Sequence, residues 1–450
     1  MADLSIISGT IGTRSAEFRT NPPTNMEPVI VNSRVSRGQL RTTPGTRPFT
    51  TGPGYDRAGI LWDGVLFRVM GGSLVRVAAD GTVTDLGFVG GPGYSAMDYS
   101  FDRLAVTSQG RLYYYDGLTL AQVTSENLGT VVDMIWIDGY FMATDGEFIV
   151  VTELSDPMQV KPLKYGSTEQ DPDPITGLIK LRNEVYALNR YTIQVLQNQG
   201  GNGFPFAVAS GATIPFGCVS ASAKCLFGQT FAFVGSGRGD ALGVYVAGSG
   251  DASKISTGII DEALASLSDP TTIELERRVY GDELRLFVHL PDESWVFFAK
   301  ASEAAGEPVW SRMKTADGGY RPRHAVSAYG GMIVGSKDSG LIAYLDDTSE
   351  RLFSARLFWS FDAGMIPTDQ PQIIHTVELV GLPGRTREGA VFLSYTRDGE
   401  TYSVEREVAL GPLGNRTKRI VWRPHVRVTN YLGLRFRGYG TAGFATCKVS

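Results

Sequence analysis

The chain is poor in the residues that most often carry chemistry: among 450 residues there are 3 cysteines and 4 histidines. Cys218, Cys225 and Cys447 are odd in number and lack the paired spacing of a zinc site, so they read as reduced thiols, with no disulfide framework or metal expected. His289, His324, His375 and His425 are scattered. None lies at helical or hairpin spacing from another or from a cysteine, which gives a metal centre or nucleophilic triad little support. Each is expected to be structural. Runs of about 18 apolar residues are missing, which argues against a membrane span. Met1–Gly12 carries Asp3 and has neither a basic start nor a sustained apolar segment, so no signal peptide is expected, and the reading is a soluble protein made in the cytosol. Gly-x-Ser-x-Gly, Walker and kinase motifs are likewise lacking in a readable context. Gly235-Ser236-Gly237-Arg238-Gly239 and Gly248-Ser249-Gly250 resemble phosphate loops, but both lie between predicted strands and read as hairpin turns. No cofactor is expected.

What the chain has is glycine, 54 residues of it, and 10% aromatics, the balance of a turn-dense all-β protein. Alternating apolar stretches recur at Ile60–Val69, Ser95–Val106, Val132–Thr152, Gly177–Gln197, Val219–Val246, Thr272–Phe298 and Ala325–Tyr344. The spacing of roughly 40 residues is that of a four-stranded sheet, too small to bury its own face, so several must stack in a ring. This predicts a β-propeller of about seven blades, with six as the alternative. Asp63-Gly64, Asp80-Gly81, Asp116-Gly117 and Asp145-Gly146 mark hairpins within it, because tight turns want positive φ. Thr257–Ser266 is the one predicted helix, with Thr257 or Gly258 as cap and Asp261 in its first turn. Near residue 350 the spacing changes. Seven strands from Phe353 to Val449 predict a C-terminal β-sandwich. The expected organisation is an extended N-terminal strap over 1–55, a propeller over 56–350 and a sandwich over 351–450. Proline in the strap favours extended backbone lying on another surface, and the strap is a candidate for the strand that closes the ring; its candidate contact residues are Arg41, Pro44 and Gly45.

Charge is unevenly divided. Residues 351–450 hold 14 Lys+Arg against 8 Asp+Glu, leaving 28 against 39 in residues 1–350. An acidic propeller is a poor surface for a nucleic-acid duplex, whose affinity comes from cations replacing counterions. In the basic tail, Arg419, Arg423, Arg427, Arg435 and Arg437 are interleaved with Ile420, Trp422, Leu434 and Phe436, giving an oily sheet face and a cationic one. The cationic face is either an ordinary solvated surface or a docking face for an acidic protein, where arginine is favoured for bidentate pairing. Ser336-Lys337-Asp338-Ser339-Gly340 and Thr396-Arg397-Asp398-Gly399-Glu400-Thr401-Tyr402 come near the turn motif of sialidase propellers without completing it. A glycan-binding or polysaccharide-degrading propeller is the alternative reading to a purely structural one, and it would require two carboxylates placed across a sugar.

Several phrases in collinear order carry a resemblance: Asn25-Met26-Glu27-Pro28, Gly38-Gln39-Leu40-Arg41-Thr42-Thr43-Pro44-Gly45, Val244-Tyr245-Val246-Ala247-Gly248, Leu393-Ser394-Tyr395-Thr396-Arg397-Asp398-Gly399 and Arg419-Ile420-Val421-Trp422-Arg423. Together they resemble the packaged-DNA stabilisation proteins, or tail accessory and tail hub proteins, of short-tailed phages. The resemblance implies a structural virion-tail protein without catalytic residues, made in the host cytoplasm. It further implies a homo-oligomeric ring, a hexamer, below the portal and its first adaptor. That ring extends the DNA exit channel, helps retain packaged DNA and offers docking ground for the tail needle and tailspikes. Double-stranded DNA would pass through its lumen without sequence-specific binding, and an acidic lumen lining would keep DNA from sticking.

Overall fold

In the computed structural model the described residues are 2–4, 6, 10–14, 17–30, 38–154, 156–168, 173–316, 318–367 and 370–450. The chain is all-β apart from two short helices and a single 3-10 turn among these residues. Between Asp56 and Asp346 the strands fall into sheets that follow one another without crossover. The first holds Asp56–Trp62, Val65–Met70, Ser73–Val77 and Val83–Phe88; the second Ser95–Tyr99, Leu104–Ser108, Arg111–Tyr115 and Leu120–Gln122. Later sheets begin at Asp133–Ile137, Ile175–Leu181, Gly217–Cys218, Glu274–Tyr280 and Pro322–Ala328, which makes seven. The leading strand of each sheet packs beside that of the next, through Lys224–Phe227 at the fifth sheet, and Pro322–Ala328 returns to Asp56–Trp62. The ring is a β-propeller.

Its turns form as the sequence suggests, by two physical routes. At Asp63-Gly64 both residues have positive φ, 48° and 72°. At Asp116 and Asp145 the aspartate instead accepts from the backbone, Leu118 N at 2.8 Å and Thr119 N at 2.7 Å in one case, Glu147 N at 3.0 Å and Phe148 N at 2.7 Å in the other. Apolar residues of each sheet are buried against the next rather than in one common core. Ala105, Leu112 and Tyr114 of the second sheet meet Met134, Phe141 and Val150 of the third.

Charged side chains then tie neighbouring blades. Arg57 of the first sheet donates to Gly93 O at 2.8 Å and to Ser108 Oγ at 2.8 Å. Asp98 of the second accepts from Trp136 N of the third at 2.7 Å and pairs with Lys180 of the fourth at 2.7 Å. One blade further on, Asp133 accepts from Leu178 N at 2.7 Å and pairs with Lys224 at 2.8 Å. Each carboxylate is bonded both to a backbone donor and to a cation, the condition under which burying charge is tolerable.

The N-terminal segment is divided between the two bodies. Gly45–Thr51 pairs antiparallel with Leu341–Asp346 and becomes the fourth strand of the last blade. Gly45 is required there: a Cβ would lie 2.4 Å from Ser349 O and 2.6 Å from Arg351 O. Upstream, Met26–Ile30 and Gly38–Thr42 belong to the sandwich, in a sheet ordered Met26–Ile30, Gly38–Thr42, Gly443–Val449, Val377–Gly381, Ile420–Trp422, with Ala2–Leu4 also on Gly443–Val449. The facing sheet runs Phe358–Pro367, Tyr431–Tyr439, Ala390–Thr396, Arg406–Ala409. Met26, Leu40, Trp359, Phe361, Phe436 and Phe444 fill the space between.

Two expectations need amendment. Helix Gly258–Ala265 is present with Thr257 at its N-cap, but the threonine side chain makes no capping bond. A second helix, Ala299–Ala305, ends at Gly306 in the left-handed conformation, φ 73°. The run Ala299-Lys300-Ala301-Ser302-Glu303-Ala304-Ala305-Gly306 held that signal in its helix formers and terminal glycine.

Candidate docking surface

Propeller and sandwich are stitched by Pro23, Thr24 and Asn25. Arg312 N of the sixth blade donates to Pro23 O at 2.8 Å, and Asn25 N donates to Arg312 O at 2.8 Å. On the other side Thr24 N donates to Ser360 O at 2.8 Å. Asn25, buried and at φ 53°, spans both bodies: its Nδ2 donates to Lys314 O at 3.0 Å and to Phe358 O at 2.7 Å, and its Oδ1 accepts from Lys314 N at 2.9 Å. Asparagine tolerates that backbone conformation better than most residues. Just beyond, buried Glu27 accepts from Arg285 Nη2 of the propeller at 2.8 Å and from Thr43 Oγ1 at 3.2 Å, and pairs with Arg41 at 3.4 Å.

Beside this seam lies a groove of about 870 Å³, walled by Glu262, Trp295 and Arg312 of the propeller and by Asp362, Tyr402 and Arg435 of the sandwich. Arg435 grips Asp362 with two bonds, 2.9 and 3.2 Å, and stacks 3.8 Å over the Tyr402 ring. Gly399 and Glu400, from one of the near-sialidase phrases, also border the groove. There Asp398 accepts from Glu400 N at 3.0 Å and Thr401 N at 2.8 Å, so hydrogen bonds led by Thr401 lower its pKa and the phrase serves as a local turn.

The five arginines are not on one face. Arg435 and Arg437 share strand Tyr431–Tyr439; Arg419 and Arg423 flank Ile420–Trp422 on the opposing sheet; Arg427 lies in Val426–Val428, paired with Gln372–Ile374. Three of them bind within the chain: Arg419 to Glu378 at 2.6 Å, Arg435 to Asp362, and Arg437 to Glu405 at 3.0 Å. Arg423 and Arg427 are exposed and, among the described residues, have no ion-pair partner. Of the strap residues, Arg41 and Gly45 make the contacts above, and Pro44 is buried beside Arg278, Tyr280 and Arg285.

Sequence spacing did not reveal a buried polar knot where the ring closes. Glu276 receives Arg278 at 2.7 and 2.9 Å, His289 Nε2 at 3.1 Å, His324 N at 3.0 Å and Ala325 N at 2.6 Å. Burial opposes its ionisation, but the Arg278 guanidinium and the His289 hydrogen bond outweigh this and hold the carboxyl well below its usual range. Burial, reinforced by Arg323, holds His289 well below an ordinary imidazole. A neutral ring donating from Nε2 to Glu276 and accepting at Nδ1 from Ser294 Oγ, 2.8 Å away, satisfies both sites. Across the seam, Asp56 holds Arg68 at 2.7 Å and His324 Nδ1 at 2.7 Å. Burial pushes the His324 pKa down, and the Asp56 bond and charge more than reverse it, so the net shift is upward. His375 and His425, 50 residues apart in sequence, meet with their Nδ1 atoms at 3.2 Å.

The fold is thus a propeller hydrogen-bonded to a sandwich through Pro23–Asn25, with polar groups at its seams bound to one another. Comparison with known families likewise finds a propeller and a sandwich. A family model described as bacteriophage P22 Gp10, beta-propeller, matches residues 2–350, and one described as bacteriophage P22 Gp10, beta-sandwich, matches residues 358–450. The chain belongs to the bacteriophage P22 Gp10 family. Among curated proteins it is similar to the tail hub protein gp10 of Salmonella phage P22, 25% identical over 458 residues that cover 94% of this chain and 93% of that protein. Similar solved structures include the N-terminal domain of Nup159, with TM-score 0.42 and 11% identity over 73% of this chain and 100% of that one. The Neurospora crassa Pan2 WD40 domain gives 0.40 and 10% over 71% and 98%.

Proposed function

We propose that this chain is a structural hub of a phage tail. The observation that carries the reading is the match to the tail hub protein gp10 along nearly the whole of both chains, over propeller and sandwich alike. The geometry suits a part that bears load. One N-terminal segment builds the sandwich, crosses to the propeller and closes its last blade, so the two bodies cannot separate without breaking strand pairing.

The hub assembles as a hexameric ring beneath the portal and adaptor; it extends the exit channel after packaging and presents docking ground to needle and tailspikes. A closed ring needs two different faces on each subunit. Arg423 and Arg427, which keep their charge free of ion pairs among the described residues, are suited to an acidic partner. The acidic propeller faces DNA in the lumen, where repulsion eases its passage.

The test adds purified chain to DNA-filled, portal-bearing particles that lack it. Electron microscopy should show a ring of density below the portal, and DNA leakage should fall. Failure to bind such particles, a strongly basic channel, or release of reducing ends from host polysaccharide by the chain alone would each count against the corresponding part of the reading.

A further inference from the structure

Two sandwich segments pair with each other on both sides of a break in register, and the break holds two histidines. Gln372–Ile374 pairs with Val426–Val428, Ile374 opposite Val426. One residue further on each strand, His375 and His425 face one another, and beyond them the same two segments pair again as Val377–Gly381 with Ile420–Trp422. Both backbones are fixed. His375 N and Thr376 N each donate to Ser450 O at 2.8 Å, and His425 sits at φ 49°, a conformation held against steric cost. Both imidazoles are exposed, with Nδ1 atoms 3.2 Å apart and ring planes 73° from each other.

An Nδ1–Nδ1 separation of 3.2 Å is bridged either by the N–H of one ring, in its Nδ1 tautomer, donating to the lone pair of the other, or by a metal ion that accepts both lone pairs. Zinc holds imidazole nitrogen at about 2.0–2.1 Å in tetrahedral geometry, which sets two such ligands roughly 3.3 Å apart. The observed separation matches that bite, and a small rotation about the broad imidazole torsion turns both nitrogens toward a common point. The geometry points to a surface site for a late first-row divalent ion such as Zn²⁺, ligated by Nδ1 of His375 and Nδ1 of His425. No third His, Cys, Asp or Glu among the described residues joins the pair, so water fills the remaining positions. The other two histidines are committed elsewhere, His289 to Glu276 and Ser294, His324 to Asp56.

The test uses the full chain without an affinity tag and Zn²⁺ as probe. Calorimetry at pH 7.5 should give one ion per chain, and uptake should be lost in His375→Asn and in His425→Asn. Cu²⁺ in the same site should show an electron-spin spectrum coupled to two nitrogens, reduced to one in either variant. In the unmodified chain, Zn²⁺ should shield His375 and His425 from diethyl pyrocarbonate, a readout that needs no substitution. Zn²⁺ binding weaker than about 1 mM, uptake unchanged in both variants, or modification of the two rings unaffected by Zn²⁺ would overturn the assignment and leave the pair sharing only a proton.

Discussion

Replacing Asn25 by alanine should loosen the joint between propeller and sandwich. The side chain makes three hydrogen bonds, to Lys314 O, Phe358 O and Lys314 N. At about 1 kcal/mol each, with their backbone partners then left to find others, the loss is about 3 kcal/mol. Alanine at φ 53° adds about 1 kcal/mol of backbone strain that glycine does not suffer. Asn25→Ala should therefore cost about 4 kcal/mol and Asn25→Gly about 3 kcal/mol. Urea unfolding followed by tryptophan fluorescence reads the total. Hydrogen exchange reads its place: the Lys314 amide and the strands Trp310–Thr315 and Phe358–Pro367 should exchange faster, whereas Asp133–Ile137, on the far side of the ring, should not. If both variants unfold at the same urea concentration as the parent, the idea that this residue couples the bodies is wrong.

Other perturbations probe other seams. Gly235→Ala would place a Cβ 1.6 Å from Gly217 O, which only movement of a strand in the fifth blade can relieve; a loss of about 3 kcal/mol or more is expected, and soluble protein with an unchanged melting curve would contradict it. Glu276→Gln keeps the shape of the knot but leaves the Arg278 guanidinium buried without its counterion, a change expected to cost about 3–5 kcal/mol in chemical denaturation. Glu276→Gln with Arg278→Met should recover much of that loss, and a double variant no more stable than the single one would refute the pairing. His289 stays neutral in the fold well below its ordinary pKa, whereas the unfolded chain protonates it near pH 6.5. Its contribution is full above about pH 6.5 and is lost as pH falls from there toward the folded value. His324 has the opposite sign, full below about pH 6.5 and lost as pH rises through its raised folded pKa. Stability measured from pH 6.5 to 5 should fall less steeply in His289→Asn than in the parent; equal slopes would show that the ring does not carry the effect.

The architecture was legible because it rests on local signals: two-residue alternation, Asp-Gly turns and a regular blade length. The helix at Ala299–Ala305 was legible in principle, but it is only seven residues long and sits inside a stretch dominated by strand alternation. What sequence spacing could not give was pairing across distance. Asn25 meets Lys314, Glu27 meets Arg285, and Asp98 meets Lys180 only because a ring brings them round. The same limit explains the arginines. Alternation put Arg435 and Arg437 opposite Leu434 and Phe436, yet it could not tell that their strand lies in one sheet and Ile420–Trp422 in the other, nor that a break at His375 and His425 sets Arg427 apart from Arg419 and Arg423. Histidines judged solitary by their spacing proved to be a pair for the same reason.

The strand Gly45–Thr51 has a consequence for how the protein is made. Its partner Leu341–Asp346 leaves the ribosome roughly 300 residues later, an interval on the order of 15–60 s at about 5–20 residues per second. During that time the early segment has nowhere to dock, and Met26–Ile30 and Gly38–Thr42 wait longer still for Gly443–Val449. Translation can nearly finish before the first-made stretch finds its berth, so a nascent chain cut short anywhere in the propeller would carry an unsealed edge ready to join a stranger.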